Sequence, residues 1–423
     1  MSLNTVLLAG AAIRFAVPTL LPQITDILAA TVEVSTPVDS FRSIKEAFFY
    51  LDHGMDVYDG GVVYHPPLLV SLLKLIQEAS PSYSSILFNL LFTVVDVGIA
   101  VKLVNLNRWY NEHQSRRSGK KLVGFSDALM AAFFMFNPLM ILTCWSHSTL
   151  PLTYFLIVEL LNQVLVDKNP YRGSIALAVA AYLSYTPVYL IIPLLALTYA
   201  LGQTSDWRDE IVQCGGVFFA SVATLMLLSF VLTALPDFFD QCYGTVVLYL
   251  KISPNMGLWW YLFTEMFDFF LPLYRGIFNL YSVIFIVPIT VRFFESETKQ
   301  GDSFLAVVMC YVWLTFTKLY PIIGDLGLAL SMFPIFKNTV IPHAKFLFIT
   351  ALMLIVVLLL APIFYYCWIV LGNGNSNFFY SMNLIWGGVH VLIFLDFLWG
   401  RLVYDYILTH DVKEELTLRL TQI

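Results

Sequence analysis

Apolar stretches long enough to cross a bilayer follow one another almost from end to end of this chain, and no other feature restricts its fold so strongly. A spanning helix takes about 20 mostly apolar residues. Hydropathy, punctuated by Pro, Gly and charge, places such segments near 4–22, 85–104, 125–144, 149–166, 174–185, 188–201, 212–235, 273–294, 303–319, 322–336, 346–370 and 378–400. Only 12% of the 423 residues are charged and 59% are apolar, whereas soluble domains carry about 25% charged residues. The bilayer is therefore the expected solvent. The chain reads as an all-α polytopic membrane protein with about 12 transmembrane or half-membrane helices, residues 1–423 forming a single transmembrane domain.

Several segments are short, and the pairs 174–201 and 303–336 are interrupted by SYTPVY and KLYPIIGD. Broken helices are tolerated at membrane depth where protein covers the freed backbone or a cavity is lined by it. The first run, Val6 to Leu21, contains Arg14 and lacks a basic leader and a small-residue cleavage site, so a retained span is expected. Arg108, Arg116, Arg117, Lys120 and Lys121 make 105–124 a cytoplasmic basic loop by the positive-inside rule. Residues 23–64 hold seven acids against Arg42 and Lys45, as expected of the opposite face. With twelve spans both termini are cytoplasmic, 401–423 is a cytoplasmic tail, and 23–84 is a loop on the other side, the lumen in a eukaryotic cell. In that loop Phe41, Ile44, Phe48 and Leu51 recur at helical spacing behind an N-cap at Asp39 or Ser40, and PPLLVSLLKLIQ (66–77) is a second interface-lying stretch.

The polar, aromatic and Pro-rich punctuation collects on that same face. GNGNSNFFY (372–380) places Asn373, Asn375 and Asn377 at alternate positions. In an extended backbone they present three amides in a row, each both donor and acceptor, suited to hydroxyl-rich and phosphate-bearing ligands. In a tight turn the same Gly and Asn residues supply left-handed conformations instead. Phe378, Phe379 and Tyr380 follow as an interfacial aromatic belt. Lys318 and Asp325 flank a Pro-centred break, where they are either functional or a structural pair capping half-helices. PNMGLWW (254–260) opens an interface-lying helix with Glu265 and Asp268 on one side. Arg14, Asp96, Glu159, His390 and Asp396 lie within spans, the first two as candidate partners.

Catalytic signals are weak. Cys144 and His147 are close in sequence but lack the surroundings of a thiol protease. The five cysteines show no CxxC spacing, and HExxH, GxSxG and Walker A patterns are missing. LDHGMDVYDGG (51–61) offers Asp52, Asp56 and Asp59, which on a helix share a face and stand where a lipid-phosphate-sugar glycosyltransferase keeps its acid. No cofactor, metal or nucleic-acid partner is expected.

Five blocks, in order along the chain, resemble the PIG-U family, the U subunits of the glycosylphosphatidylinositol (GPI) transamidase. They are residues 32–69, FNPLMILTC (136–144), 254–268, KLYPIIGDLGLALSMFPI (318–335) and GNSNFFYSMNL (374–384). Asn373 stands where the family usually has a small residue, and 111–121 is of variable character. The resemblance implies a fold similar to multi-span lipid-sugar glycosyltransferases. It implies a non-catalytic subunit in the endoplasmic reticulum membrane that recognises the GPI glycolipid among membrane phospholipids. Its partners would be the other transamidase subunits, including a cysteine-protease-like catalytic subunit that joins the glycolipid's phosphoethanolamine amine to proprotein C-termini. Carried over, NSNFFY places the glycolipid contact at Asn375 and Asn377, with Asn373 an extra contact or a bystander; Arg208, in TSDWRDE, is a candidate for a phosphate on the other leaflet. Two other readings stand beside it: a dolichyl-phosphate-mannose-dependent glycosyltransferase using Asp52, Asp56 or Asp59, and a purely structural subunit.

Overall fold

A computed structural model describes residues 2–202, 207–296 and 301–410, and the side chains of Trp207 and Arg208 are outside it. The expectation for Arg208 therefore falls outside the described side chains, as does most of the expected tail, from 411 on. All described secondary structure is helical. Each of the twelve expected segments holds a helix: α1 Leu3–Leu20, α5 Ser84–Ser118, the bent pair α6 Asp127–Met135 and α7 Pro138–Trp145, α8 Leu150–Leu165, α9 Pro170–Leu183, α10 Ile191–Leu201, α11 Trp207–Thr233, α13 Leu271–Ile284 with α14 Ile286–Arg292, α15 Ser303–Thr317, α16 Ile323–Met332, α17 Leu347–Tyr365 and α18 Ser376–Thr409. Short helices α2 Gln23–Leu28, α3 Phe41–Asp52, α4 Pro67–Ala79 and α12 Trp259–Thr264 lie in the connections.

Length separates outside from inside. Among the described residues six helices are long and apolar enough to cross a membrane and the bent pair adds a seventh, while 150–165, 186–201, 303–317 and 323–336 are shorter. The long helices α11, α13–α14 and α17 form the perimeter, with Val231, Leu273, Leu280, Phe348 and Leu359 exposed. Such surface is stable against lipid, so the chain is a multi-pass membrane protein. The short α15 and α16 are buried almost throughout. At a rise of 1.5 Å per residue they cannot span the bilayer core alone, and their ends must be covered by protein.

That covering is visible at each break. Between α6 and α7 the chain bends by 53° at Asn137, whose Oδ1 accepts from Leu139 N (3.0 Å) to start α7 and whose Nδ2 donates to Gly327 O (3.0 Å). The carbonyl of Met135, left open there, accepts from Arg14 Nη1 at 2.6 Å. Arg14 also meets Asp96 at 2.5 Å, both side chains fully buried, the candidate partnership that the cost of a lone charge within a span suggested. Asp396 likewise has a structural task, accepting from Lys345 N (2.7 Å) and Phe346 N (3.0 Å) to start α17. Glu159 pairs with Lys102, and His390 bonds the Trp386 carbonyl at 2.9 Å.

Two boundaries differ from expectation. The basic stretch from 105 is helical to Ser118, and Gly119 at φ 65° ends it. Helix α18 runs nine residues past 400, because Arg401 is held inside by Asp302 (2.7 Å) and Asp405 (2.8 Å). Tyr110 donates to the same Asp302 (2.7 Å), and Lys337 donates to the Val123 carbonyl (3.2 Å), so 108–126, 301–302, 337–345 and 401 form one end, the basic end.

Candidate functional site

The opposite, acidic end gathers the first loop, the α7–α8 connector, the α9–α10 and α15–α16 breaks, and the turn before α18. The α15–α16 break is covered by a strap at 251–261. Trp259 Nε1 donates to Thr317 O (2.8 Å), Asn255 Nδ2 to Leu319 O (3.2 Å), and Tyr320 OH to Lys251 O (2.6 Å). A Cβ at Gly257 would stand 2.9 Å from the Pro321 ring, so the strap approaches this closely only with glycine there. From the other side Asn383 of α18 donates to the carbonyls of Asn255 (2.6 Å) and Gly257 (3.1 Å). The strap therefore ties the two stretches singled out in the sequence, 318–325 and 373–380, into one assembly.

Lys318 and Asp325 take the structural option the sequence left open. Lys318 Nζ donates to both Asp325 oxygens at 2.9 Å. Asp325 also accepts from Tyr154 OH (3.0 Å) and from Ile322 N (3.0 Å), which starts α16. The first loop seals this region: Ile323 N donates to Glu33 O (2.8 Å) and Thr149 N to Asp39 O (3.1 Å), while His65 Nε2 meets Thr149 Oγ1 at 3.2 Å. A small cavity of about 30 Å³ lies here, lined by Asp39, Tyr64, Thr149, Ser184, Tyr185 and Lys318. A second, of about 20 Å³, is lined by Tyr154, Ser184, Lys318 and Asp325.

Asp39 is the acid that sequence reasoning missed. Ser40, not Asp39, caps α3, accepting from Arg42 N at 3.2 Å. Asp39 turns inward, is 2% exposed, and accepts from Thr36 N through Oδ1 (2.7 Å), while its Oδ2 has no partner. Burial pushes its carboxyl up to about 7, against the opposing pull of Lys318. Burial also raises Glu33 to about 7 and lowers His65 to about 3. The available signal was that only one of two adjacent capping residues can occupy the cap.

The amide row is a turn and a cap. Gly372 has φ 66°, Asn373 N donates to Cys367 O (3.0 Å), and Asn375 is the N-cap of α18, accepting from Asn377 N at 3.1 Å. The three side chains do not share one extended face, so the turn alternative is the one realised. All three remain exposed. Asn377 Oδ1 accepts from Tyr261 OH, and the Tyr261 ring stacks on Tyr380 with centroids 4.3 Å apart. Phe378 points outward, 55% exposed, whereas Phe379 is fully buried against Tyr365 and Trp368. The expected belt of three rings is thus an outward Phe378, an edge Tyr380 and an inner Phe379 that holds the rim in place. Asn255, Trp259, Tyr261 and Asn383 complete the assembly, and only their density in the strap hinted at it.

Other expectations are corrected. Asp52 ends α3 and pairs with Lys74 (2.5 Å), while Asp56 and Asp59 lie beyond the helix in an exposed turn, so the three share no helical face. Helix α12 ends at Thr264, so Glu265 and Asp268 do not line one helix. The His147 ring bonds Asn89 through Nε2 (2.7 Å), and His147 meets buried Cys144 through the backbone, its N–H donating to the Cys144 carbonyl (3.1 Å). Among the described residues no three His, Cys, Asp or Glu side chains gather as a metal site.

Comparison with known proteins agrees with the blocks that carry the resemblance. Residues 8–386 match the family described as GPI transamidase subunit PIG-U. The chain is 35% identical over 397 residues to the GPI transamidase component GAB1 of Saccharomyces cerevisiae, covering 93% of each. It is 28% identical to the GAB1 homolog of Schizosaccharomyces pombe, covering 94% of this chain and 93% of that one. It is 26% identical to the human GPI-anchor transamidase component PIGU, covering 92% and 91%.

Proposed function

Since the chain belongs to the PIG-U family of GPI transamidase subunits, we propose that it is a non-catalytic subunit of that complex that recognises the GPI glycolipid and presents it for attachment to proprotein C-termini. It resides in the endoplasmic reticulum membrane with both termini cytoplasmic and the acidic end luminal. Its partners are the other subunits, including the cysteine-protease-like one that forms the amide bond, together with surrounding phospholipids.

One observation carries the site: an exposed amide and aromatic rim, Asn375, Asn377, Phe378 and Tyr380, is braced from beneath by Tyr261 and Phe379 at the edge of lipid-facing α17. Amides at this edge take glycan hydroxyls and phosphate while acyl chains stay beside Phe378 and Phe364, whose rings are 5.8 Å apart. Asn373 adds a flanking amide. Lys318 and Asp325 close the α15–α16 break that the strap covers, and Arg208 is assigned to a phosphate on the other leaflet.

The test is anchor transfer in cells whose only copy carries Asn375→Ala with Asn377→Ala. Transfer is expected to fall several-fold with the complex still assembled. Loss of the cap alone costs about 1 kcal/mol, and Asn375→Asp, which keeps the cap, separates that cost from recognition. Normal anchoring in the double variant contradicts the assignment.

A further inference from the structure

The connection from the strap to the perimeter carries two rings whose exposure the fold itself does not explain. Helix α12 ends at Thr264, and EMFDFF (265–270) leads into α13 through a single 3-10 turn, Asp268–Phe270, where Phe270 N donates to Phe267 O at 2.9 Å. Phe267 is 80% exposed and Phe269 86%, whereas Trp260 and Phe263 of the preceding helix are 2% exposed. Their surroundings point to what covers them. The turn opens the span Asp268–Arg292, and the apolar surface continues from it along lipid-facing α13 through Leu273, Ile277 and Leu280, all exposed.

Glu265 and Asp268 alternate with the rings and are exposed as well. A protein interface closing over the rings would desolvate both acids, and so would the hydrocarbon core. The boundary between headgroups and chains takes rings and carboxylates together. Arg275, one turn into α13, adds a cation. Its Nε is buried without a hydrogen-bond partner, and no carboxylate pairs with it among the described residues. Helical side chains lean toward the helix N-terminus, so Arg275 leans toward the same boundary, where the leaflet's phosphates supply the counter-charge.

We propose that residues 265–270 are a lipid anchor: Phe267 and Phe269 enter the leaflet at the acidic end, at its headgroup–chain boundary, and so fix the height of the strap in the bilayer. The strap follows the anchor because α12 packs directly on α13, the Trp259 and Phe263 ring centroids lying 4.4 and 5.1 Å from that of Phe278. The anchor draws on the lipid-facing perimeter alone and is independent of glycolipid recognition at the rim.

The test uses the purified complex in phosphatidylcholine nanodiscs, with Phe269→p-acetylphenylalanine in this chain coupled to a hydroxylamine nitroxide, a label that leaves the cysteines untouched. Power saturation in electron paramagnetic resonance reads collisions with oxygen, which concentrates in the bilayer, against those with a water-soluble nickel chelate. Leu359, exposed on α17, and Asp59, in the exposed turn of the first loop, carry the same label as bilayer and water references. Position 269 is expected to favour oxygen several-fold more than Asp59 does, and less than Leu359. Preference for the chelate, as at Asp59, would place the rings in water and overturn the proposal. Exclusion of both reagents would place them under another subunit and overturn it equally. Hydrogen–deuterium exchange in the same nanodiscs reads the strap. Phe267→Ser with Phe269→Ser removes little packing within the chain, since both rings face outward, and is expected to raise exchange over 251–261 several-fold while 84–118 exchanges as in wild type. Unchanged exchange over 251–261 would overturn the fixing of the strap.

Discussion

The acidic end handles polar side chains in two opposite ways within one assembly. At 318–325 Lys318, Asp325, Tyr154 and the backbone of Ile322 close on one another out of solvent, and the strap takes the freed carbonyls of Thr317 and Leu319. At 373–380 the amides of Asn373, Asn375 and Asn377 face outward, and only Asn377 is engaged by a neighbouring side chain, Tyr261. Closed networks of the first kind hold short helices at membrane depth, where each unmatched backbone group is costly. Open groups of the second kind add one bond each, the cap at Asn375 and the Tyr261 hydroxyl at Asn377, and keep donors and acceptors facing outward for a ligand. On the function proposed above, architecture falls to the break and recognition to the rim.

Removing one partner of the closed network breaks the comparison most severely. Lys318→Ala leaves Asp325 buried without its cation, and such a change costs about 3–5 kcal/mol. The expected outcome is loss of folded chain on size-exclusion chromatography of detergent extracts, with any defect in anchor transfer following the loss of protein. The rim behaves in the reverse manner: the double asparagine variant loses transfer with protein level and complex intact. Tyr261→Phe sharpens this contrast further, because it removes only the hydroxyl that holds Asn377. A stability loss of about 1 kcal/mol and a smaller fall in transfer are expected, read by thermal melting and by surface display of an anchored reporter.

A separate contrast concerns pH and Asp39. Its folded carboxyl stands at about 7 against an ordinary value of 3.8. Between those values the folded chain keeps a proton that the unfolded chain releases, so stability falls as pH rises through that window. Asp39→Asn flattens part of that decline and leaves the share of Glu33, which has the same sense. His65, lowered to about 3, acts oppositely: stability falls as pH drops below about 6.5, the pH at which an unfolded histidine charges. Melting temperature as a function of pH, in wild type and variant, measures both.

The sequence made the perimeter plain and the interior less so. The run at 346–370 is apolar on all faces because lipid surrounds most of it, and its limits were readable from hydropathy alone. The run at 303–317 is just as apolar but is wrapped by protein, and no periodicity separates the two cases. Arg14 and Asp96 were legible as partners since a lone charge at that depth is untenable. The breaks were legible at Pro187 and Pro321; the bend at Asn137 lay inside an expected single span. At the proposed rim, Asn375 and Asn377 were legible as candidates but their geometry was not, because a Gly-Asn repeat suits both a strand and a turn. Asp39 was hidden for a different reason. Its burial depends on Thr149 and the α15–α16 break closing over it, contacts more than a hundred residues distant. Likewise nothing local to FFY tells which ring turns inward.

Site-directed photocrosslinking tests the central claim most directly. The complex, carrying Phe378→p-benzoylphenylalanine in this chain, is irradiated with radiolabelled GPI glycolipid, with Phe348→p-benzoylphenylalanine at the basic end of the same lipid-exposed helix pair as reference. The rim account predicts a strong labelled adduct from position 378 that unlabelled glycolipid competes away, and little from 348. Equal labelling at both positions, or none at 378 while anchor transfer proceeds, would contradict it.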